Sequence, residues 1–463
     1  MMPRSTCSLL LAIYCLPMSL SAAVRVTNHE DNSVVRYPVV LLRGTMSEGR
    51  QLTIRNADAG KDAAPVSVAV YDGRFKALVS LSSGKNLIKL STPSGERSNL
   101  TLTYQPQTNA YYVRLVWKTD NTGETNFATP DDNVTQDYAA RFRTAAQLMQ
   151  TFTAERMYDL GYGRKTFRLE RDAAGKIIVH TLKAPKTAAF YYELGDSNRW
   201  WNNVRNWLNQ EHPDKFAKNI VLAAYTRKDQ ETGKLNGHTA LGGGNLGLFG
   251  SGSVFCWPRD ISTALKAFGN AKMVDATRVH EDSAGRGAYW SVASTTIGAT
   301  LHEMGHTFGL PHCKDNLGIM TRGFDHFHRV FTFHDPPSNR SRSETYFREN
   351  EEAYFSPISA SFLQWSPWFQ LDKGQPENNV RPRIVFDRNT KLVTVRSEAG
   401  IRWIGFWVKS DVYGFREFRD AEAPTAISFT PDEYGKIING KQLSTITTMA
   451  SNGRSVRVST EVE

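Results

Sequence analysis

Three observations predict a multidomain protein in which an α+β unit lies between an N-terminal and a C-terminal β-sandwich. Short β-runs separated by turn residues fill the chain from about residue 34 to 120. Apolar residues at helical spacing replace them from Tyr138 onward, and β texture returns beyond Pro376. The 463 residues, 40% apolar and 11% aromatic, suffice for roughly two to four domains with ordinary buried cores.

Residues 1–23 read as a secretory signal peptide. Arg4 supplies a positive start, residues 7–20 an apolar run, and Ser21-Ala22-Ala23 a small-residue cleavage site. The run is shorter than the roughly 20 residues a bilayer requires and is broken by Pro17, so cleavage rather than anchoring is expected. No later stretch is apolar enough to span a membrane. The mature protein is expected to be secreted or periplasmic.

Residues 24–130 are expected to form the first sandwich, Ig-like in its pattern, with strands at 37–42, 65–71, 86–90, 100–104 and 111–117. Asp72-Gly73, Ser83-Gly84 and Ser94-Gly95 turn the chain between them. The polar stretch 119–132 reads as a linker. In residues 131–375, Tyr138, Phe142, Ala145, Leu148, Met149, Phe152 and Met157 predict a long amphipathic helix. Strands at 166–169, 177–182 and 219–225 and helices at 198–209 and 288–307 complete this unit. Residues 376–463 are expected to hold the smaller sandwich, with strands at 384–386, 391–395, 403–408 and 426–429.

The formal charge of +10 favours acidic partners without naming one. Zinc-finger spacing, an RNA-recognition signature and dense Lys/Arg runs are all missing, so no nucleic-acid partner is expected.

The chemistry concentrates in His302-Glu303-Met304-Gly305-His306. Two imidazoles at i and i+4 share one helical face and can reach one ion, with Glu303 beside them. Gly309 follows where the helix must stop and reverse, which glycine does through positive φ, and His312 comes three residues later. Three neutral imidazoles with a fourth position open to water are the ligand set of a catalytic zinc, here one per chain. That zinc would acidify its water, and Glu303 would serve as general base. A closed structural site would need a fourth protein ligand. Cys313, the nearest thiol, is too close to His312 in the chain to join without strain.

Other residues carry weaker signals. Met320 lies eight residues beyond His312 in a turn-forming context. His326, His328 and His334 read as surface or supporting residues, because the metal already has three imidazoles. The glycine-rich run 242–250 fits either an edge strand above the cleft or a flexible loop, and His238 before it reads as structural. Once the leader is removed, Cys256 and Cys313 are the remaining cysteines. They are expected to pair as a disulfide bracing the loop after His312. No cysteine lies between Val24 and Phe255, so a thiolate from a preceding segment cannot cap the metal.

The string from His302 to His312, with Met320 at the position of a Met-turn, resembles the metzincin clan. The wider chain, over roughly residues 65–371, resembles the zinc metallopeptidases best known from fungi. The strings that carry this likeness are Phe75-Lys76-Ala77-Leu78-Val79, Phe152-Thr153-Ala154-Glu155-Arg156-Met157-Tyr158 with Gly161-Tyr162-Gly163-Arg164, Gly237-His238-Thr239-Ala240-Leu241-Gly242-Gly243-Gly244, and Gly318-Ile319-Met320 with Arg322. The resemblance implies a metzincin-like zincin catalytic domain with His302, His306 and His312 as zinc ligands and Glu303 as base. Several metzincins have a tyrosine two residues after the methionine. Arg322 stands there in this chain, as a candidate oxyanion stabiliser or as a salt-bridge partner.

The expected activity is endopeptidase action on an extended polypeptide. A zinc amidase acting on a non-protein amide and a non-catalytic zinc protein binding a glycan or protein are the alternatives. Glycan binding would fall to the sandwiches. Glu303 weighs against the binding protein, because a purely structural site has no use for a general base.

Overall fold

The computed structural model describes residues 24–60, 65–195, 197–372, 379–419 and 423–460. The expected leader lies outside these residues, as does the expected boundary at 375/376. Among the described residues, no helix is long and apolar enough to cross a membrane.

Eight strands open the fold: β1 (Val24–Val26), β2 (Ser33–Val35), β3 (Val39–Met46), β4 (Gln51–Asn56), β5 (Val66–Ala69), β6 (Arg74–Ser80), β7 (Gly84–Ser91) and β8 (Arg97–Tyr104). They form two sheets, ordered β1-β3-β6 and β2-β8-β7-β4-β5, that share a core containing Tyr37, Leu42, Phe75, Ile88 and Leu102. Strand period explains why β3 opens with four successive apolar residues, 39–42. Val40 and Leu42 face this core, whereas Val39 and Leu41 face the main core of the molecule. The sheet β1-β3-β6 is therefore covered on both sides.

Next comes β9 (Tyr112–Thr119). This strand was expected to be the last of the sandwich. Instead it pairs in parallel with β10 (Val179–Lys183) and β11 (Ala217–Ala223), inside a five-stranded sheet ordered β10-β9-β11-β15-β14. The change of sheet thus falls between Tyr104 and Tyr112, not near residue 130. An apolar run buried on both faces looks the same in a sandwich and in a parallel sheet. The polar stretch read as a linker folds back over this sheet: Phe127 is buried, and Trp117 Nε1 donates to Thr125 O at 3.1 Å.

Two further pairs of short strands, β12 (Arg227–Lys228) with β13 (Leu235–Asn236) and β14 (Ala240–Gly243) with β15 (Leu246–Gly250), precede the histidine motif. Within the five-stranded sheet β9, β10, β11 and β15 run parallel, and β14 closes one edge antiparallel. Helices α1 (Tyr138–Asp159), α2 (Ala188–Glu193), α3 (Ser197–Glu211), α4 (Ala264–Phe268) and α5 (Tyr289–Thr307) accompany it. On β11, Ile220 and Leu222 join the core shared with α1 and α5, whereas Val221 and Ala223 join Trp200, Val204, Trp207 and Leu208 of α3. Helices on both faces of a mainly parallel sheet make this unit α/β rather than the expected α+β.

The helix expected from Tyr138 onward forms as α1, but it is not amphipathic. Phe142, Ala145, Leu148, Met149, Phe152 and Met157 are buried, and so are Arg141, Gln150, Thr151, Glu155 and Arg156. The polar face is spent on neighbouring segments. Thr151 Oγ1 donates to Val39 O at 2.6 Å, Gln150 Nε2 to Phe167 O at 2.6 Å, and Arg156 pairs with Glu352 at 3.1 Å.

After a short ladder of β16 (His334–Asp335) with β17 (Thr345–Tyr346), α6 (Pro357–Trp365) leads to the C-terminal unit. There β18 (Arg383–Phe386), β19 (Val393–Arg396) and β22 (Ala426–Phe429) form one sheet. A second is built from β20 (Ile401–Val408), β21 (Asp411–Glu417), β23 (Thr445–Ala450) and β24 (Ser455–Ser459), in the order β21-β20-β23-β24. The two sheets and α7 (Pro431–Ile437) share a core of Val393, Ile404, Phe406, Phe429 and Ile446. From β20, Trp403 and Trp407 point the other way into the main core, and Trp403 Nε1 donates to Ser361 Oγ of α6 at 2.9 Å.

Candidate metal centre

Helix α5 runs through the middle of the α/β unit, and all of its residues but His306 are buried. Two glycines let it pack that tightly. A Cβ on Gly298 would lie 2.4 Å from Phe324 O, and one on Gly305 would lie 2.4 Å from Met320 Sδ. The segment from Met320 through the 3₁₀ helix Arg322–Val330 therefore lies directly against the helix. Met320, 1% exposed, supports the turn that carries the histidines.

The helix ends as its sequence predicts. Gly309 adopts φ +93°, its N–H donates to His306 O at 3.0 Å, and Leu310 N–H donates to Gly305 O at 3.1 Å. This Schellman pairing reverses the chain and returns His312 towards the helix. His302, His306 and His312 are thereby brought together, with one ligand atom from each lying within 4.8 Å of the others. Ring centroids are 4.7, 4.8 and 5.2 Å apart.

Hydrogen bonds prepare two of these rings for a metal. Nδ1 of His302 lies 2.8 Å from Ile319 O, and Nδ1 of His306 lies 2.8 Å from Leu310 O. A carbonyl can only accept, so each Nδ1 carries the proton and each Nε2 presents a lone pair. Those two Nε2 atoms face each other at 3.1 Å. Two lone pairs so close repel unless a cation lies between them. Zinc bonds of about 2.0–2.1 Å in a tetrahedron would hold them about 3.4 Å apart. The residues thus fit zinc. Burial, followed by the neighbouring His306, lowers the His302 pKa to about 3, and burial lowers that of His306. Both rings are neutral at ordinary pH, as ligands must be.

Glu303 is 7% exposed and sits where α5 meets the edge strand β14. A Cβ on Gly242 would lie 2.0 Å from Glu303 O. Burial pushes the Glu303 carboxyl up to about 8, while the Gly242 backbone N–H pulls the other way. A dication at the neighbouring histidines would favour its charged form as well. Of the two readings of the glycine-rich run, the strand is the one present.

Arg322 is bound by a 2.8 Å ion pair to Asp325 and lies over the Phe324 ring, which in turn packs edge-on against His302. The other histidines lie away from the centre. His328 is fully buried, with Nδ1 2.8 Å from Ser294 Oγ and Nε2 2.9 Å from Asp335, and His334 faces Glu344 at 3.7 Å. His326 lies inside the 3₁₀ helix at a kink.

The expected disulfide between Cys256 and Cys313 is not formed, and both cysteines are free. Cys256 Sγ donates to Ser253 O at 2.8 Å, beside Phe255, whose ring packs on Tyr289 at the start of α5. Cys313 lies past the end of α5, 3.0 Å from Thr321 Oγ1. At 1.5 Å per residue the helix between them rises about 27 Å, far beyond the roughly 7 Å that a disulfide spans.

Comparison with known proteins agrees with the expected family. The chain is 30% identical over 283 residues to a protein named putative zinc metalloproteinase from Schizosaccharomyces pombe, covering 57% of this chain and 46% of that one. A protein of the same description from Saccharomyces cerevisiae is 26% identical over 365 residues, covering 71% and 51%. The chain spans about half the length of these curated relatives. Among solved structures, wild-type OgpA from Akkermansia muciniphila matches with a TM-score of 0.44 at 17% identity, covering 76% of this chain and 93% of its own. Its catalytically inactive form, in complex with an O-glycopeptide, gives 0.43 and 16%, covering 76% and 92%. Residues 23–402 match the model of the putative peptidase family, and the chain belongs to that family.

Proposed function

We propose that the chain is an exported zinc-dependent endopeptidase of the metzincin type, its flanking pairs of sheets being β-sandwiches. One observation carries the reading: the helix that bears two metal-ready imidazoles also bears a buried carboxyl, Glu303, that meets the backbone N–H of Gly242 on the edge strand β14. Zinc held by His302, His306 and His312 would acidify a water and polarise a substrate carbonyl. Glu303 takes the proton of the attacking water and passes it to the departing amine. Strand β14 ends its sheet, so an extended peptide can pair with its free edge and be held over Glu303. Beside His312 a cavity of about 230 Å³, walled by Tyr354, Ile358, Val412 and Tyr413, is placed to take a side chain next to the scissile bond. Met320 under Gly305 supports the metzincin assignment, with Arg322 acting as a partner of Asp325.

The test separates metal binding from chemistry. His306→Ala should lose the zinc of this centre together with peptidase activity. Glu303→Gln should keep zinc and fold while turnover falls by at least about a hundredfold. Near-normal turnover in Glu303→Gln would sink the mechanism. Zinc bound at His302, His306 and His312 without activity on any peptide would favour a zinc-containing binding protein.

A further inference from the structure

A second cluster of metal-binding side chains lies outside the centre described above. His238, two residues before β14, approaches His280 and Asp282 on the loop that leads into α5. One ligand atom from each lies within 4.8 Å of the others. The imidazole rings are 4.8 Å apart at an angle of 56°, and His280 Nε2 is 4.0 Å from Asp282 Oδ2, too far for a hydrogen bond. Nδ1 of His238 is sealed from solvent and has no hydrogen-bond partner among the described residues. A buried imidazole nitrogen without a partner is costly, and a bound cation would relieve that cost.

The backbone makes room for the rings. A Cβ on Gly250 would lie 2.4 Å from His238 Nδ1, and one on Gly252 would lie 3.4 Å from His280 Cβ. Ligands of a tetrahedral zinc lie about 3.4 Å apart, so the three groups need to close by no more than about 1.5 Å. Two imidazoles and one carboxylate form a nitrogen-rich set, which suits zinc rather than calcium or magnesium.

We propose that His238, His280 and Asp282 form a second zinc site, which clips the loop ahead of α5 to the start of the edge strand β14. Both ends of the clip serve the catalytic centre: the loop leads into the helix carrying His302 and Glu303, and the strand carries Gly242 against Glu303. The site does not depend on the peptidase reading.

Zinc counted by mass spectrometry in the full mature protein, equilibrated with buffered zinc, tests it. Wild type should hold two zincs per chain, His306→Ala one, and the double variant His280→Gln/Asp282→Asn one. A wild-type chain with a single zinc that His306→Ala removes would overturn the second site. A single zinc that survives His306→Ala but leaves with the double variant would overturn the catalytic centre instead. Should the double variant not fold, cobalt titration of the metal-free wild type decides: two equivalents support the site, and one refutes it.

Discussion

Gly242→Ala is the sharpest probe of how the edge strand serves the centre. The added Cβ would lie 2.0 Å from the carbonyl oxygen of Glu303, 2.7 Å from its carbonyl carbon and 2.9 Å from its Cα. All three are helix backbone and cannot swing away. Ordinary contact begins at 3.4 Å, so strand and helix must part by about 1.4 Å. Overpacking of this kind costs about 1–3 kcal/mol, which would lower the melting temperature of the unit by roughly 2–12 °C. A misplacement near 1 Å costs activity on the order of a hundredfold, and here it also removes the Gly242 N–H from the Glu303 carboxylate. Gly243→Ala is the control, because its Cβ would meet nothing nearer than Trp201 Cζ2 at 3.7 Å. Peptidase kinetics, zinc content and thermal unfolding of both variants make the comparison. The expected result is zinc retained in both, with activity and stability lost only in Gly242→Ala. Equal behaviour of the two variants would refute the argument.

Two further predictions concern side chains away from the centre. Peptide mapping without reductant should find both thiols free, with Cys313 alkylated in the native protein and Cys256 only after unfolding; a Cys256–Cys313 cross-link would refute the geometry. Glu155, with no side-chain exposure, accepts hydrogen bonds from Tyr37, Asn28 and Arg164 at 2.9 Å and ties α1 to the N-terminal sheets. Burial raises its pKa, but Arg164, His29 and Arg43 outweigh burial, so the net shift is below the ordinary 4.5. A depressed pKa stabilises the fold above 4.5, and that contribution is lost as pH falls through the folded value. Glu155→Gln should therefore cost about 3 kcal/mol at neutral pH. The gap from wild type in thermal unfolding should narrow in acid; a gap that persists at the lowest pH at which both fold would contradict the assignment.

How much could be read in advance depended on how local each feature is. His302, Glu303, His306, Gly309 and His312 fall within one helix and its C-terminal reversal, so spacing alone brings them together. Strand β9 could not be assigned to its sheet, because Val113, Leu115, Val116 and Trp117 are buried on both faces, and pairing across residues 112 and 217 leaves no local trace. Polar positions on α1, such as Thr151 and Glu155, looked solvent-facing because their partners come from the N-terminal strands. His238 read as structural for a similar reason, since the residues it meets, His280 and Asp282, lie more than forty positions away. In the C-terminal unit, β24 alternates intermediate and exposed residues, which leaves it little apolar signal.

The placement of β9 bears on what can be cut or transplanted. It lies between β10 and β11, so a fragment beginning at residue 131 would lose the strand that joins one edge of the sheet to the rest. Such a fragment would also uncover the face of α1 now covered by Val39 and Leu41. The unit that carries the candidate metal centre therefore cannot be excised as a portable module at the polar stretch 119–132. A shorter functional version would have to retain the chain from before Tyr112, together with a replacement cover for α1.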